Sequence, residues 1–254
     1  MQSKHIVIVG GTSGSGRVLV RRFSEGQNRI SLLGRHPSPE VQQQMPGVQF
    51  YQVELGNTSD VLKVIQKIVA DNGKISHLIF YQRFRGSGDK WEGELQISLT
   101  ATNLFIESCT DLFDGSDENS IVVVSSTAGH LIHIEQPVGY HVAKAGLNQM
   151  VRYYAVLLGS RGIRVNCVSP STVIKEEAQQ YCAEQEGLRK VYETITPLSR
   201  MGKAEDIADV IEFLCSAKSS FITGQEIIVD GGLSLIGQST LAMQLGNPDS
   251  IKKS

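Results

Sequence analysis

Five residues, His5-Ile6-Val7-Ile8-Val9, run without a break into Gly10-Gly11-Thr12-Ser13-Gly14-Ser15-Gly16, and then into Val18, Leu19, Val20 and Phe23 at helical spacing. That order predicts a buried strand, a glycine turn and an amphipathic helix. Glycine at positions 10, 14 and 16 removes the Cβ atoms that would obstruct a tight turn, a close backbone approach to a pyrophosphate, and helix packing on the strand. The N-terminus of the helix then faces the phosphates. A glycine pattern alone suits an ordinary loop equally well, but between a first strand and an amphipathic helix it favours dinucleotide binding.

The second constraint is Tyr140-His141-Val142-Ala143-Lys144. Residues four apart share one helix face, so the phenol and the ammonium are neighbours there. A cation beside a tyrosine favours the phenolate, which equips the pair for proton exchange in reversible alcohol oxidation. Such a pair also occurs on ordinary solvated helix faces, and it is the glycine turn upstream that tips the reading toward hydride transfer.

Strand-like segments recur at Arg29–Leu33, Val48–Val53, His77–Tyr81, Ser120–Val124, Arg164–Val168 and Glu226–Val229. Helical patterns lie between them, with a start at Ser38-Pro39 and apolar spacing through Asp60–Val69. The alternation implies a parallel sheet covered on both faces, in one domain spanning residues 1–254. Residues from about 175 to 197, rich in Glu, Gln and Tyr, are expected to form an exposed helical excursion serving as a substrate lid. The tail from about 233 is expected to be partly loose.

With 24 basic against 26 acidic residues, the net charge of −2 leaves no footprint of nucleic-acid binding. Cys109, Cys167, Cys182 and Cys215 have no paired or metal-ligand spacing, and they read as reduced, mostly core thiols. His130, His133 and His141 have no ligand spacing either, so no metal is expected. No signal peptide or membrane-spanning run is apparent, and a cytoplasmic location is expected.

Several motifs in order resemble the short-chain dehydrogenase/reductase family, from the first strand to Gly232. Val9 to Gly16 is similar to the family's Thr-Gly-x-x-x-Gly-x-Gly turn, with valine for threonine. Ser125-Ser126-Thr127-Ala128-Gly129 resembles the end of the strand bearing the catalytic serine, and Tyr140 to Lys144 matches Tyr-x-x-x-Lys. Arg164 to Pro170, Pro197 to Gly202, Ile222 to Gln225 and Asp230-Gly231-Gly232 resemble later family markers. The resemblance implies a single Rossmann-type doubly wound sheet of about seven strands and a homodimer or homotetramer. It makes Tyr140 the general acid/base and Lys144 its partner and ribose ligand, with Ser126 orienting the substrate oxygen. Ser125 and Thr127 remain alternatives to Ser126, whose spacing from Tyr140 is one residue longer than the family's.

The same resemblance implies that Gly10, Thr12, Ser13, Gly14, Ser15 and Gly16 cradle the cofactor. Glu54 and Leu55 fall near its adenine, and Pro170, Thr172 and Val173 near its carboxamide. In Leu32-Leu33-Gly34-Arg35-His36, the acid that would accept bonds from a ribose 2′-hydroxyl is replaced by Gly34. Arg35 follows, so NADP(H) is favoured over NAD(H).

Three departures stand out. Phe80-Tyr81-Gln82-Arg83-Phe84-Arg85-Gly86 replaces the family's Asn-Asn-Ala-Gly loop. It reads either as a repacked loop or as a site where Arg83 or Arg85 binds an anionic group of substrate or cofactor. Ser98 stands where the family holds a relay water with asparagine, and Ser171 stands where glycine follows Pro170. Two functions are therefore carried: an NADP(H)-dependent carbonyl/alcohol oxidoreductase, and a dinucleotide-binding sensor or scaffold with little turnover. A dehydratase or epimerase is less favoured, because no extra substrate domain is visible.

Overall fold

The computed structural model describes residues 3–43, 45–174 and 186–246. Its first strand, β1 (His5–Val9), is buried at every position, which is why it reads as a continuous apolar run. After α1 (Ser15–Ser24) come β2 (Arg29–Gly34), α2 (Pro39–Gln42) and β3 (Val48–Gln52). Then follow α3 (Thr58–Asn72), β4 (His77–Phe80), α4 (Lys90–Glu94), α5 (Ala101–Cys109), β5 (Ser120–Val124), α6 (Val138–Gly159) and β6 (Arg164–Pro170). The chain ends with β7 (Val173–Ile174), α7 (Glu186–Ile195), β8 (Gly202–Lys203), α8 (Ala204–Cys215), β9 (Glu226–Val229) and α9 (Gln238–Gly246).

Seven strands form one sheet in the order β3-β2-β1-β4-β5-β6-β9, and every pairing is parallel. Val7 and Val9 turn toward the core with α3, α5 and α6. Ile6 and Ile8 turn to the other face, with α1 and α8. The doubly wound architecture expected from the sequence is present. The chain reverses its direction of winding between β1 and β4, and the carboxyl ends of those strands leave a crevice there.

Local sequence explains the helix starts. Ser38 caps α2, accepting from the Val41 N–H at 3.4 Å, with proline at the first helical position. The Asn57 side chain caps α3 through the N–H groups of Ser59 and Asp60 at 3.0 and 3.3 Å. Two features were not anticipated. Leu95–Thr100 is a π-helical stretch between α4 and α5, and β7 pairs with β8 as a separate two-stranded ribbon.

Of the expected lid, residues 175–185 lie outside the described residues, and α7 occupies most of the remainder. In the described part of the tail α9 packs against α7; residues 247–254 lie outside the described residues. Cys109, Cys167 and Cys215 are buried free thiols, and Cys182 is outside the described residues. Among the described residues no helix is long and apolar enough to cross a membrane.

The end of β1 touches the loop after β4 backbone to backbone. Gly10 has φ of +86°, and a Cβ there would fall 2.7 Å from the Gln82 nitrogen. Gly10→Ala is therefore expected to destabilise the fold by about 2 kcal/mol or more through left-handed strain and collision. The measurement is the urea midpoint, and an unchanged midpoint would show that the two loops tolerate separation.

Candidate active site

The crevice is a cleft of about 580 Å³. One end is lined by Gly10 to Ser15, Gly34, Arg35, Glu54 and Leu55, and the other by Ser126, Tyr140, Lys144, Pro170, Thr172 and Val173. Tyr81 to Arg85 also line it, so both arginines of the unusual loop reach it. Two residues expected at the site do not line the cleft. Gly16 sits in α1, where a Cβ would be 2.3 Å from the Gly11 Cα, so its absent side chain serves the packing of the turn. Ser98 is fully buried in the π-helical stretch, and its hydroxyl donates to Glu94 Oε2 at 3.2 Å.

At the turn end, Gly11 has φ of +83° and Gly14 of +58°, conformations that glycine alone adopts without strain. Among the described residues no side chain caps α1. The start of this helix lies beside the cleft, a position that suits a phosphate. A Cβ on Gly34 would meet Thr12 Cγ2 at 3.0 Å, so a side chain at that point of β2 would crowd Thr12. Arg35 and Glu54 are exposed at this mouth, whereas Leu55 is buried in the wall. These residues fit a dinucleotide.

The other end is organised by α6. Tyr140, Ala143, Lys144, Leu147, Asn148 and Val151 are buried at helical spacing and hold the helix on the sheet. Lys144 is only 3% exposed, and its ammonium donates to the Val124 carbonyl at the end of β5, at 2.9 Å. Burial lowers its pKa to about 8, with the charge of Glu94 pulling upward and that of Arg83 pushing down. Lys144 Nζ lies 5.5 Å from the centre of the Tyr140 ring, and Arg83 Cζ lies 4.7 Å from it. Two cations therefore flank the ring.

Three hydroxyls compete for the substrate-orienting position. Ser125 is buried and donates to the Lys144 carbonyl at 3.2 Å, and Thr127 is buried with its hydroxyl 3.1 Å from His133 Nε2. Ser126 is half-buried; its hydroxyl accepts from the Ala128 N–H at 3.1 Å and retains its own proton to donate. That leaves Ser126 the freest of the three.

The loop after β4 is anchored rather than slack. The Tyr81 hydroxyl donates to Ser15 Oγ at 2.7 Å, and burial pushes the phenol up to about 12. Gln82 Nε2 donates to Thr102 Oγ1 at 2.8 Å, and Arg83 Nη2 donates to Gln136 Oε1 at 3.2 Å. The sequence reading missed the buried Glu94 and the cleft-lining His133 and Gln136. Glu94 had one available signal, its four-residue spacing from Ser98 on a helical stretch.

Residues 11–234 match a family model described as enoyl-(acyl carrier protein) reductase. A glucose 1-dehydrogenase of Gluconobacter oxydans is 29% identical over 251 residues, covering 92% of this chain and 93% of that protein. A tropinone reductase homologue of Arabidopsis thaliana is 30% identical over 253 residues, covering 94% and 95%. Among solved structures, an aldohexose dehydrogenase of Thermoplasma acidophilum superposes with a TM-score of 0.81 at 22% identity, covering 93% of this chain and 96% of that one. With the family model spanning most of the chain and the fold in agreement, this protein belongs to the short-chain dehydrogenase/reductase family and is an oxidoreductase built to use a nicotinamide dinucleotide.

Proposed function

We propose that the protein is an NADP(H)-dependent oxidoreductase that interconverts a small carbonyl compound and its alcohol. The observation carrying this reading is the convergence of Ser126, Tyr140 and Lys144 on the cleft that also holds the glycine turn. A nicotinamide dinucleotide bound there supplies or accepts the hydride. In the reducing direction Tyr140 gives its hydroxyl proton to the carbonyl oxygen, while Ser126 donates a hydrogen bond to the same atom. The negative charge left on Tyr140 sits near Lys144 and Arg83. Lys144, Pro170, Thr172 and Val173 would hold the nicotinamide end, and Gly10 to Ser15 the pyrophosphate.

Arg35 and the missing acid at Gly34 support the choice of NADP(H). Exposed Tyr153 and Val156, 61% and 86% accessible on α6, supply apolar surface for assembly into a homodimer or homotetramer. The three buried thiols suit a reducing, cytoplasmic setting. A redox-silent dinucleotide sensor is the second reading, favoured by Ser98, whose hydroxyl is spent on Glu94 away from the cleft.

Tyr140→Phe is expected to lower kcat on the order of 10²- to 10⁴-fold while NADPH still titrates the cleft by fluorescence. A sensor has no rate to lose, so wild-type protein inert toward a broad carbonyl panel would favour that reading. In the same titration Arg35→Ala should erode the preference for NADPH over NADH by on the order of tenfold or more; an intact preference would remove Arg35 from the cofactor site.

Lys144 adds a pH signature in the ligand-free chain. Its folded pKa of about 8 lies below the ordinary 10.5, so between those values the unfolded chain holds a proton that the folded chain has released. Stability contributed by Lys144 therefore rises as pH climbs through that window. Comparing unfolding free energy against pH for wild type and Lys144→Met should show the variant lacking up to one proton's worth of slope there. Parallel curves would mean that the ammonium is not desolvated.

A further inference from the structure

We infer that the substrate is an anionic carbonyl compound, whose carboxylate or phosphate is held by Arg83 while its carbonyl meets Tyr140. This rests on the redox reading above and extends it to a substrate class. Arg83 is half-buried in the cleft wall with its guanidinium over the Tyr140 ring. Its side chain has one polar partner among the described residues, the neutral amide oxygen of Gln136, at 3.2 Å. Its Nε is buried and has no partner among the described residues.

A buried guanidinium donor without an acceptor is costly, and the rest of the fold does not relieve it. Among the described residues no carboxylate lies within ion-pair distance of Arg83. Of the two acids lining the cleft, Glu54 is at the opposite, adenosine end, and exposed Glu135 faces His133 Nδ1 at 3.7 Å. The cation is pinned by an aromatic face and an amide, and its charge is left for a ligand. A planar, pre-oriented fork of that kind matches an oxyanion in bidentate fashion, which a lysine would not reproduce.

Position separates a substrate anion from the phosphates of the cofactor. Within the loop, Tyr81 bonds to Ser15 at the glycine turn, but two residues later Arg83 has reached Tyr140 and Gln136. The pyrophosphate belongs at the turn and the 2′-phosphate at Arg35, whereas Arg83 stands at the reacting end. Arg85 is exposed and stays on the rim. The short separation between Arg83 and the Tyr140 ring places the oxyanion within a few bonds of the carbonyl, as in a small oxo acid or a phosphorylated aldehyde or ketone.

The test compares matched pairs with NADPH: pyruvate and acetoacetate each against its methyl ester, and glyceraldehyde 3-phosphate against glyceraldehyde. At least one anionic member should exceed its neutral partner in kcat/KM by on the order of 10- to 100-fold. That ratio should collapse toward one in Arg83→Gln and recover in part in Arg83→Lys, while the NADPH dissociation constant moves less than twofold. Whether the oxo acids or the phosphate ester discriminate identifies the oxyanion. A wild-type ratio near one in every pair, or a ratio that survives Arg83→Gln, would overturn the inference and leave the redox reading standing. Equal losses of NADPH affinity and kcat/KM would assign Arg83 to the cofactor instead. Calorimetric titration of the same anions into the NADPH complex covers failure of the chemistry. Arg83-dependent binding without turnover keeps the anion site and removes the redox reading, whereas neither turnover nor such binding overturns the inference.

Discussion

The site is built around a buried charge. Lys144 carries its ammonium to the carboxyl end of the sheet, where water is excluded, and taking such a group out of water costs several kcal/mol unless polar partners replace the lost hydration. The Val124 carbonyl is one such partner, at 2.9 Å, and the charge of buried Glu94 is another influence in its favour. Both depend on α6 keeping one register, against the sheet for the carbonyl and beside α4 for Glu94. Advancing α6 by a single residue would turn its side chains through about 100° and carry Tyr140 and Lys144 off the cleft together. The apolar stripe from Ala143 to Val151 is what forbids that rotation, so core packing and site geometry are the same constraint seen from two sides.

The opposite end of the cleft is set by backbone rather than by side chains. β1 and β4 are adjacent and parallel, and their following segments must leave the sheet almost in contact. Gly10 makes the approach to Gln82 possible, and Gly16 allows α1 to begin against Gly11. With the turn so compressed, the start of α1 is held at the mouth of the crevice, where the positive end of a helix favours a phosphate. The dinucleotide end is thus a consequence of missing atoms, and the reacting end of buried ones.

This difference governs how much was legible beforehand. Six expected strands after β1 appear within one or two residues of their anticipated ends; a central strand such as β5, buried on both faces, shows as an apolar run, whereas edge strand β3 shows as Val, Phe and Tyr interleaved with Gln. The glycine turn and the Tyr140–Lys144 pair were equally visible, since each depends on local spacing. Contacts between distant segments were not. Nothing in Phe80 to Gly86 announces that Tyr81 will find Ser15, or that Arg83 will find Tyr140 rather than solvent. Ser98 failed as a cleft residue for a related reason. The π-helical stretch and its pairing with Glu94 keep its hydroxyl inside the wall. The short β7–β8 ribbon, two residues a side, has too little sequence to carry a pattern.

The replaced loop is better understood as a unit than as a set of departures. Its four successive residues from Phe80 have four separate anchors: Phe80 packs edge-on to Phe105, Tyr81 bonds to Ser15, Gln82 to Thr102, and Arg83 to Gln136. Random drift in a surface loop would leave side chains in water and glycines idle. Here Gly93, in α4, would clash with the Phe84 ring at 2.5 Å if it carried a Cβ, so a helix outside the loop is shaped to receive it. A segment anchored at four successive residues to the glycine turn, to α5 and to the loop before α6 leaves its Arg83 cation little freedom, so the guanidinium is held over the Tyr140 ring by the packing of the whole loop and not by one contact.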